Sequence, residues 1–138
     1  MKRTFLFLIL SACMTMTQAA EMGRTASPIN NVINMQKAGI NFSVWGYIGG
    51  AHCEMEMNGT TGTFEYSGIK RKLKFVSYNK RTKQLVLNEY DLKGRYVGKF
   101  VGIYDEFYEP AKQMTCMTYS GTFTNTKGKK VDFSMYYD

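Results

Sequence analysis

At 138 residues the chain has length for one domain, and its 44% hydrophobic and 21% charged content is a globular balance that excludes a disordered chain. A formal net charge of +7 is basic but moderate, and no apolar run is long enough for a permanent membrane-spanning helix. A single histidine and three cysteines give no zinc site of familiar spacing.

Taken in order, residues 1–20 read as a secretory signal peptide. Lys2 and Arg3 give a positive start, Phe5–Leu10 is apolar, and Thr17-Gln18-Ala19 ends in a small residue. A second arrangement competes: Leu10-Ser11-Ala12-Cys13 resembles the lipobox of bacterial lipoproteins, with Cys13 as the lipidated residue. Either route implies export, to the periplasm, to the medium, or to the outer membrane as a lipoprotein. Loss of Lys2 and Arg3 leaves 16 bases against 11 acids, a net charge near +5. In the N-terminal segment 21–41 a short helix is expected over 28–37. Ser27 is its N-cap, Pro28 lies in its first turn, Ile29, Val32, Ile33 and Gln36 share a face, and Gly39 ends it. About ten residues is marginal for an isolated helix, so it is expected to dock on an open end of the sheet.

From Phe42 the hydrophobic period becomes two, and 42–138 reads as an all-β domain. Strands are expected at Ser43–Ile48, Ala51–Met57, Thr61–Tyr66, Lys72–Tyr78, Gln84–Tyr90, Arg95–Asp105, Thr115–Thr124 and Lys130–Tyr137. Asn58-Gly59 is a hairpin signal, and Ser67-Gly68, Asn79–Lys83, Asp91–Gly94 and Asn125–Gly128 fit other tight turns. Glu106–Gln113, around Pro110, is expected to be a loop with a shape of its own. Short connections make the topology an antiparallel meander. The inner face collects Cys53, Met55, Met57, Phe64, Tyr66, Leu73, Phe75, Leu85, Leu87, Phe100, Tyr119, Phe123, Phe133 and Met135. Such a meander buries its apolar face and loses its edges by closing into a small eight-stranded up-and-down barrel. An open, curved sheet around the 28–37 helix is the alternative. Gly62-Thr63-Phe64, Gly98-Lys99-Phe100 and Gly121-Thr122-Phe123 repeat a Gly-x-Phe pattern that sets each glycine beside its phenylalanine on one face, which suits sharp bending or a neighbouring aromatic laid over the backbone.

The mature cysteines, Cys53 and Cys116, form an even pair that export would favour as a disulfide. It would close a loop of about 60 residues and contribute roughly 4 kcal/mol. Two buried thiols are the other arrangement.

A short helix followed by an antiparallel meander over roughly Phe42–Tyr137 resembles the small calycin barrels, of the lipocalin and avidin type. It also resembles exported bacterial β-meander proteins with repeated Gly-x-Phe/Tyr strands and a late Asn-x-Lys-Gly-Lys turn, here Asn125–Lys129. Where a lipocalin begins with Gly-x-Trp, this chain has Trp45-Gly46-Tyr47. No binding residue is transferred from either family.

The residues themselves suggest binding rather than catalysis. His52 falls on an outer face with Glu54 and Glu56, while Cys53 points the other way, so no nucleophile–base pair forms. Neither a phosphate-cradling loop nor a dinucleotide fingerprint is present. No cofactor, metal or enzymatic activity is expected. Glu89 stands out because it continues the inward positions Leu85 and Leu87, where a carboxylate needs donors or a shifted pKa. Asp105, Glu106 and Glu109 share the expected loop with Tyr104, Phe107 and Tyr108. The bases Lys70, Arg71, Lys72, Lys74, Lys80, Arg81 and Lys83 occur with no acid between Glu65 and Glu89, a patch that attracts polyanions. For an exported protein the expected partners are an acidic protein, a glycan or an anionic surface polymer, not nucleic acid, with membrane contact only through a lipid anchor. Val76 with Val86, and Val97 with Val101 and Ile103, form apolar stripes on the outer face. The leading expectation is a non-enzymatic binding protein acting through loops and outer wall. The alternatives are a carrier of a small apolar ligand inside the barrel near Glu89, and an enzyme using Glu89 or the Asp105–Glu109 stretch.

Overall fold

The computed structural model describes residues 39–138, so the expected signal segment, Cys13 and the expected helix over 28–37 lie outside the described residues. Eight strands follow one another: β1 (Ile40–Ile48), β2 (Ala51–Gly59), β3 (Thr61–Tyr66), β4 (Ile69–Tyr78), β5 (Gln84–Tyr90), β6 (Tyr96–Glu109), β7 (Met114–Asn125) and β8 (Lys130–Tyr137). Each pairs antiparallel with the next, and β8 returns to β1 from Trp45↔Tyr136 to Ile48↔Phe133. The sheet is therefore a closed barrel and not an open curve. Closure satisfies both edges, which is what an eight-strand meander with one oily face requires.

The alternating pattern sets the wall. Phe42, Val44, Cys53, Met55, Met57, Phe64, Leu73, Leu85, Leu87, Phe100, Tyr104, Tyr119, Phe133 and Met135 form one buried core, while intervening positions such as His52, Glu54 and Glu56 face water. Aromatic rings run the length of the interior. Phe64 and Phe123 lie 5.0 and 4.7 Å from Phe100, which is 5.2 Å from Phe133; Phe133 is 4.8 Å from Tyr119. Phe42 then stacks on Tyr104 at 4.8 Å. Each such side chain contributes roughly 1.5–3 kcal/mol on burial, well above the value of any exposed ion pair, so this stack rather than surface charge holds the wall together. It also blocks any channel from end to end. The Tyr119 hydroxyl, buried within it, donates to the Leu85 carbonyl at 3.0 Å, so its polar atom is satisfied.

The glycines serve the bending as expected, but each makes room for a neighbour from an adjacent strand and not for the phenylalanine of its own motif. A Cβ on Gly98 would overlap the Phe123 ring, and one on Gly102 would press on Phe133 Cζ. Gly62 accommodates the Met57 sulfur. Two bulges add curvature: Val76 is extra between Phe75 and Ser77, and Val97 is extra opposite Glu89 and Tyr90. Gly49 and Gly50, both at positive φ, make the two-residue turn from β1 to β2. The following turn centres on Gly59-Thr60, because Asn58 pairs with Thr61, one residue later than the Asn58-Gly59 signal suggests.

Two expectations are corrected. Glu106–Gln113 is not a free loop: β6 and β7 continue as a ribbon in which Glu106 pairs with Met117 and Glu109 with Met114, leaving only 110–113 as a turn. Nor do Cys53 and Cys116 form a disulfide, for both are free and buried. Their strands, β2 and β7, are separated in the wall by β1 and β8. Three interstrand spacings come to roughly 14 Å, beyond the ~7 Å Cα limit of a disulfide. Parity separates them too, since Cys53 faces the core while Cys116 lies three residues from inward-pointing Tyr119 and so on the other side of its strand.

Candidate binding site at one mouth of the barrel

The meander places alternate turns at opposite ends. At one end lie the turn at Gly49-Gly50, the turn at Ser67-Gly68, the segment 91–95 and the turn after Asn125. They frame a half-open cavity of about 420 Å³. Its apolar wall is Ile48, Phe64, Val97, Phe123 and Val131, its polar rim includes Tyr66, Ser67 and Asn125, and Glu89 is its one charged residue. Phe64 and Phe123 belong to the aromatic stack, so the core forms the floor.

Glu89 reaches this floor by strand parity from Leu85 and Leu87, opposite Leu73 on β4 and Gly98 on β6. It is 2% exposed, and its Oε1 has no hydrogen-bond partner. Burial pushes its carboxyl from 4.5 up to about 7, against the opposing pull of Arg71. Arg71 shares the inward parity of Leu73, and its Nε is likewise buried without a partner. The ion pairs found among the described residues are Lys83–Asp105, Arg95–Asp91 and Lys112–Asp138, and Glu89 enters none. The absence of a side chain at Gly98 makes room for the Phe123 ring on the floor, and the extra residue Val97 lines the cavity wall. Val97, expected on an outer stripe, lines the cavity instead, whereas Val76 and Ile103 are exposed outside.

The opposite end holds a second half-open cavity of about 430 Å³ lined by Ile40, Phe75, Tyr78, Lys80, Lys83, Tyr104, Asp105 and Glu106. Its polar groups largely satisfy one another. The Lys83 ammonium sits 2.6 Å from Asp105, the Tyr78 hydroxyl donates to the Tyr104 carbonyl, and the Tyr104 hydroxyl donates to Glu106. Tyr104 is a core residue, not a loop aromatic, and burial followed by the Glu106 charge drives its phenol well above the usual tyrosine range. Phe107 and Tyr108 remain exposed on the β6–β7 ribbon.

The basic set does not converge. Lys70, Lys72 and Lys74 lie on the outer face of β4, where Lys70 is opposite Glu65 and Lys74 lies over the Tyr90 ring at 4.9 Å. Arg71 turns inward, whereas Lys80 and Arg81 belong to the turn at the far end, with Lys83 held by Asp105. In the outer groove the acids Glu54 and Glu56 on β2 and Glu65 on β3 lie beside the bases Lys70 and Lys72 on β4. Among the described residues no group of three His, Cys, Asp or Glu is placed to hold a metal ion. Sequence reading singled out Glu89 but missed the rest of the mouth, Ile48, Ser67, Val97, Asn125 and Val131, which flank turns that are far apart in sequence. No family model, curated protein or solved structure matches the chain.

Proposed function

We propose that this chain is an exported, non-enzymatic binding protein that takes a small, mainly apolar ligand into the Glu89 mouth of its barrel. The observation that supports this reading is the combination of an apolar cavity of about 420 Å³ with one nearly buried, unpartnered carboxylate on its floor. Ligand sites of small molecules have this character: concave, mostly apolar, with few convergent polar groups. Catalysis is disfavoured because, beside Glu89, the mouth offers only the hydroxyls of Tyr66 and Ser67 and no histidine, lysine or second carboxylate to pair with it. Export is supported by the charge and apolar layout of residues 1–20.

Titration with 1-hexanol, followed by backbone amide shifts, tests the site. Saturable shifts at Gly49, Ser67, Val97 and Asn125, without matching shifts at Lys80 and Glu106, are expected. Shifts that do not saturate, or that spread over both ends, would refute it. A second reading, docking through the outer wall, draws on the exterior cluster of Trp45, Tyr136, Tyr47 and His52. Trp45 and Tyr136 rings lie 4.3 Å apart and Tyr47 is half exposed. Loss of partner capture from the native envelope by Trp45→Ala, with hexanol binding retained, would favour that reading.

A further inference from the structure

We propose that the mouth selects ligands carrying a primary ammonium head on an apolar body, with the ammonium seated on Glu89. This deepens the preceding proposal and rests on it. A carboxylate on an apolar floor has exchanged water for hydrocarbon, and its unpartnered Oε1 still needs a donor. No side chain of the mouth supplies one with a charge. Across β6 the facing position is Gly98, on β3 the titratable neighbour is Tyr66, and the remaining lining residues carry no formal charge. On β4 the facing position is Leu73, and the base two residues before it, Arg71, acts on Glu89 at a distance, makes no ion pair with it, and is not among the residues lining the mouth. A ligand therefore brings the missing cation.

The three simplest head groups rank on physical grounds. An ammonium gives a charge-assisted hydrogen bond, roughly twice as strong as the neutral bond an alcohol gives. A carboxylate head would set like charges together on a floor of low polarity. The apolar walls contribute equally to all three tails, so the head alone sets the order. Because the carboxyl titrates near neutrality, the preference is also pH-dependent: the ammonium meets an ionised Glu89 at pH 8 and a protonated one at pH 5.

The experiment compares 1-hexylamine, 1-hexanol and hexanoate by calorimetry and amide shifts at pH 8 and pH 5, with Glu89→Gln alongside the unaltered protein. Hexylamine is expected to bind about tenfold or more tightly than hexanol at pH 8, a difference of about 1.4 kcal/mol. The gap is expected to shrink at pH 5 and to vanish in Glu89→Gln. Equal binding of amine and alcohol at the mouth overturns the head-group assignment and leaves the apolar site standing. Tightest binding of hexanoate overturns it in favour of Arg71. Failure of all three to saturate the mouth removes both proposals. The head-group series in the unaltered protein is decisive even if Glu89→Gln does not fold.

Discussion

Replacing Glu89 by glutamine should change the pH dependence of stability in a way that isolates one carboxyl. In the folded chain burial carries that carboxyl from 4.5 to about 7, so the folded state keeps its proton longer than the unfolded state does. Below pH 4.5 both states are protonated and the group imposes no penalty. Between 4.5 and 7 the unfolded chain ionises first, and each pH unit removes about 1.4 kcal/mol of stability. Above 7 the loss is complete, on the order of 3 kcal/mol. Glutamine at position 89 stays neutral throughout, so the variant's stability relative to the unaltered protein should rise by about that amount from pH 4 to pH 8. The carboxyls held low by hydrogen bonds, Asp91 and Asp105, are common to both proteins and cancel in the difference. Any misfit of the new amide adds a constant offset that leaves the slope alone. Urea unfolding at half-unit pH steps, followed by the fluorescence of Trp45, the chain's one tryptophan, measures this directly. A difference curve that is flat from pH 4 to 8, or that slopes the other way, would show that Glu89 is not held as a buried acid.

The same mouth can be closed from behind. Gly98→Ala should destabilise the barrel by about 1–3 kcal/mol and weaken hexanol binding, because the added methyl meets the Phe123 ring and the Thr124 carbonyl, and the ring's way out leads into the cavity; stability equal to the parent would refute this. Cys53 and Cys116 should react with a thiol reagent only on unfolding, given that burial pushes the Cys53 thiol up to about 11; rapid labelling of Cys53 in the folded protein, or a change in migration of the denatured chain on adding a reductant, would contradict it.

Much of the fold could be read from residue type because one rule, alternation, governs nearly every strand. Thr61–Tyr66, Gln84–Tyr90 and Lys130–Tyr137 are strands with the bounds their patterns indicate, since turn residues flank each on both sides. The rule was also sufficient to discard the disulfide: with Tyr119 inward, Cys116 must point the other way. Cysteine parity of count pointed to a bond that parity of position forbids. The β6–β7 ribbon was hidden for a different reason. Asp105, Glu106, Phe107, Tyr108 and Glu109 carry no alternation, because the consecutive residues Glu106, Phe107 and Tyr108 are all exposed where β6 rises past the barrel rim, so its sequence looks like a loop. Bulges erase the signal in a third way, by inserting one residue and reversing the phase, so that simple alternation puts Val97 on the outer wall.

The site was legible only at the single residue where alternation and chemistry disagree. Glu89 occupies a position that the pattern reserves for oil, and no packing requirement explains a carboxylate there. The residues that complete the mouth obey their local rules, as turn-flanking Ile48, Ser67, Asn125 and Val131 do, and nothing local marks them. What joins them is topology: in a closed meander the first, third, fifth and seventh turns meet at one rim, however far apart they lie in the chain. The aromatic stack then limits what that rim can do. With Phe64, Phe123 and Phe133 each packed on Phe100 across the interior, a ligand entering beside Val97 stops at Glu89 and cannot pass through to the Tyr104 end. A shallow cup with a charged floor recognises a head group, whereas a deep barrel recognises a body, and the packed core of this chain leaves only the first of these open to it.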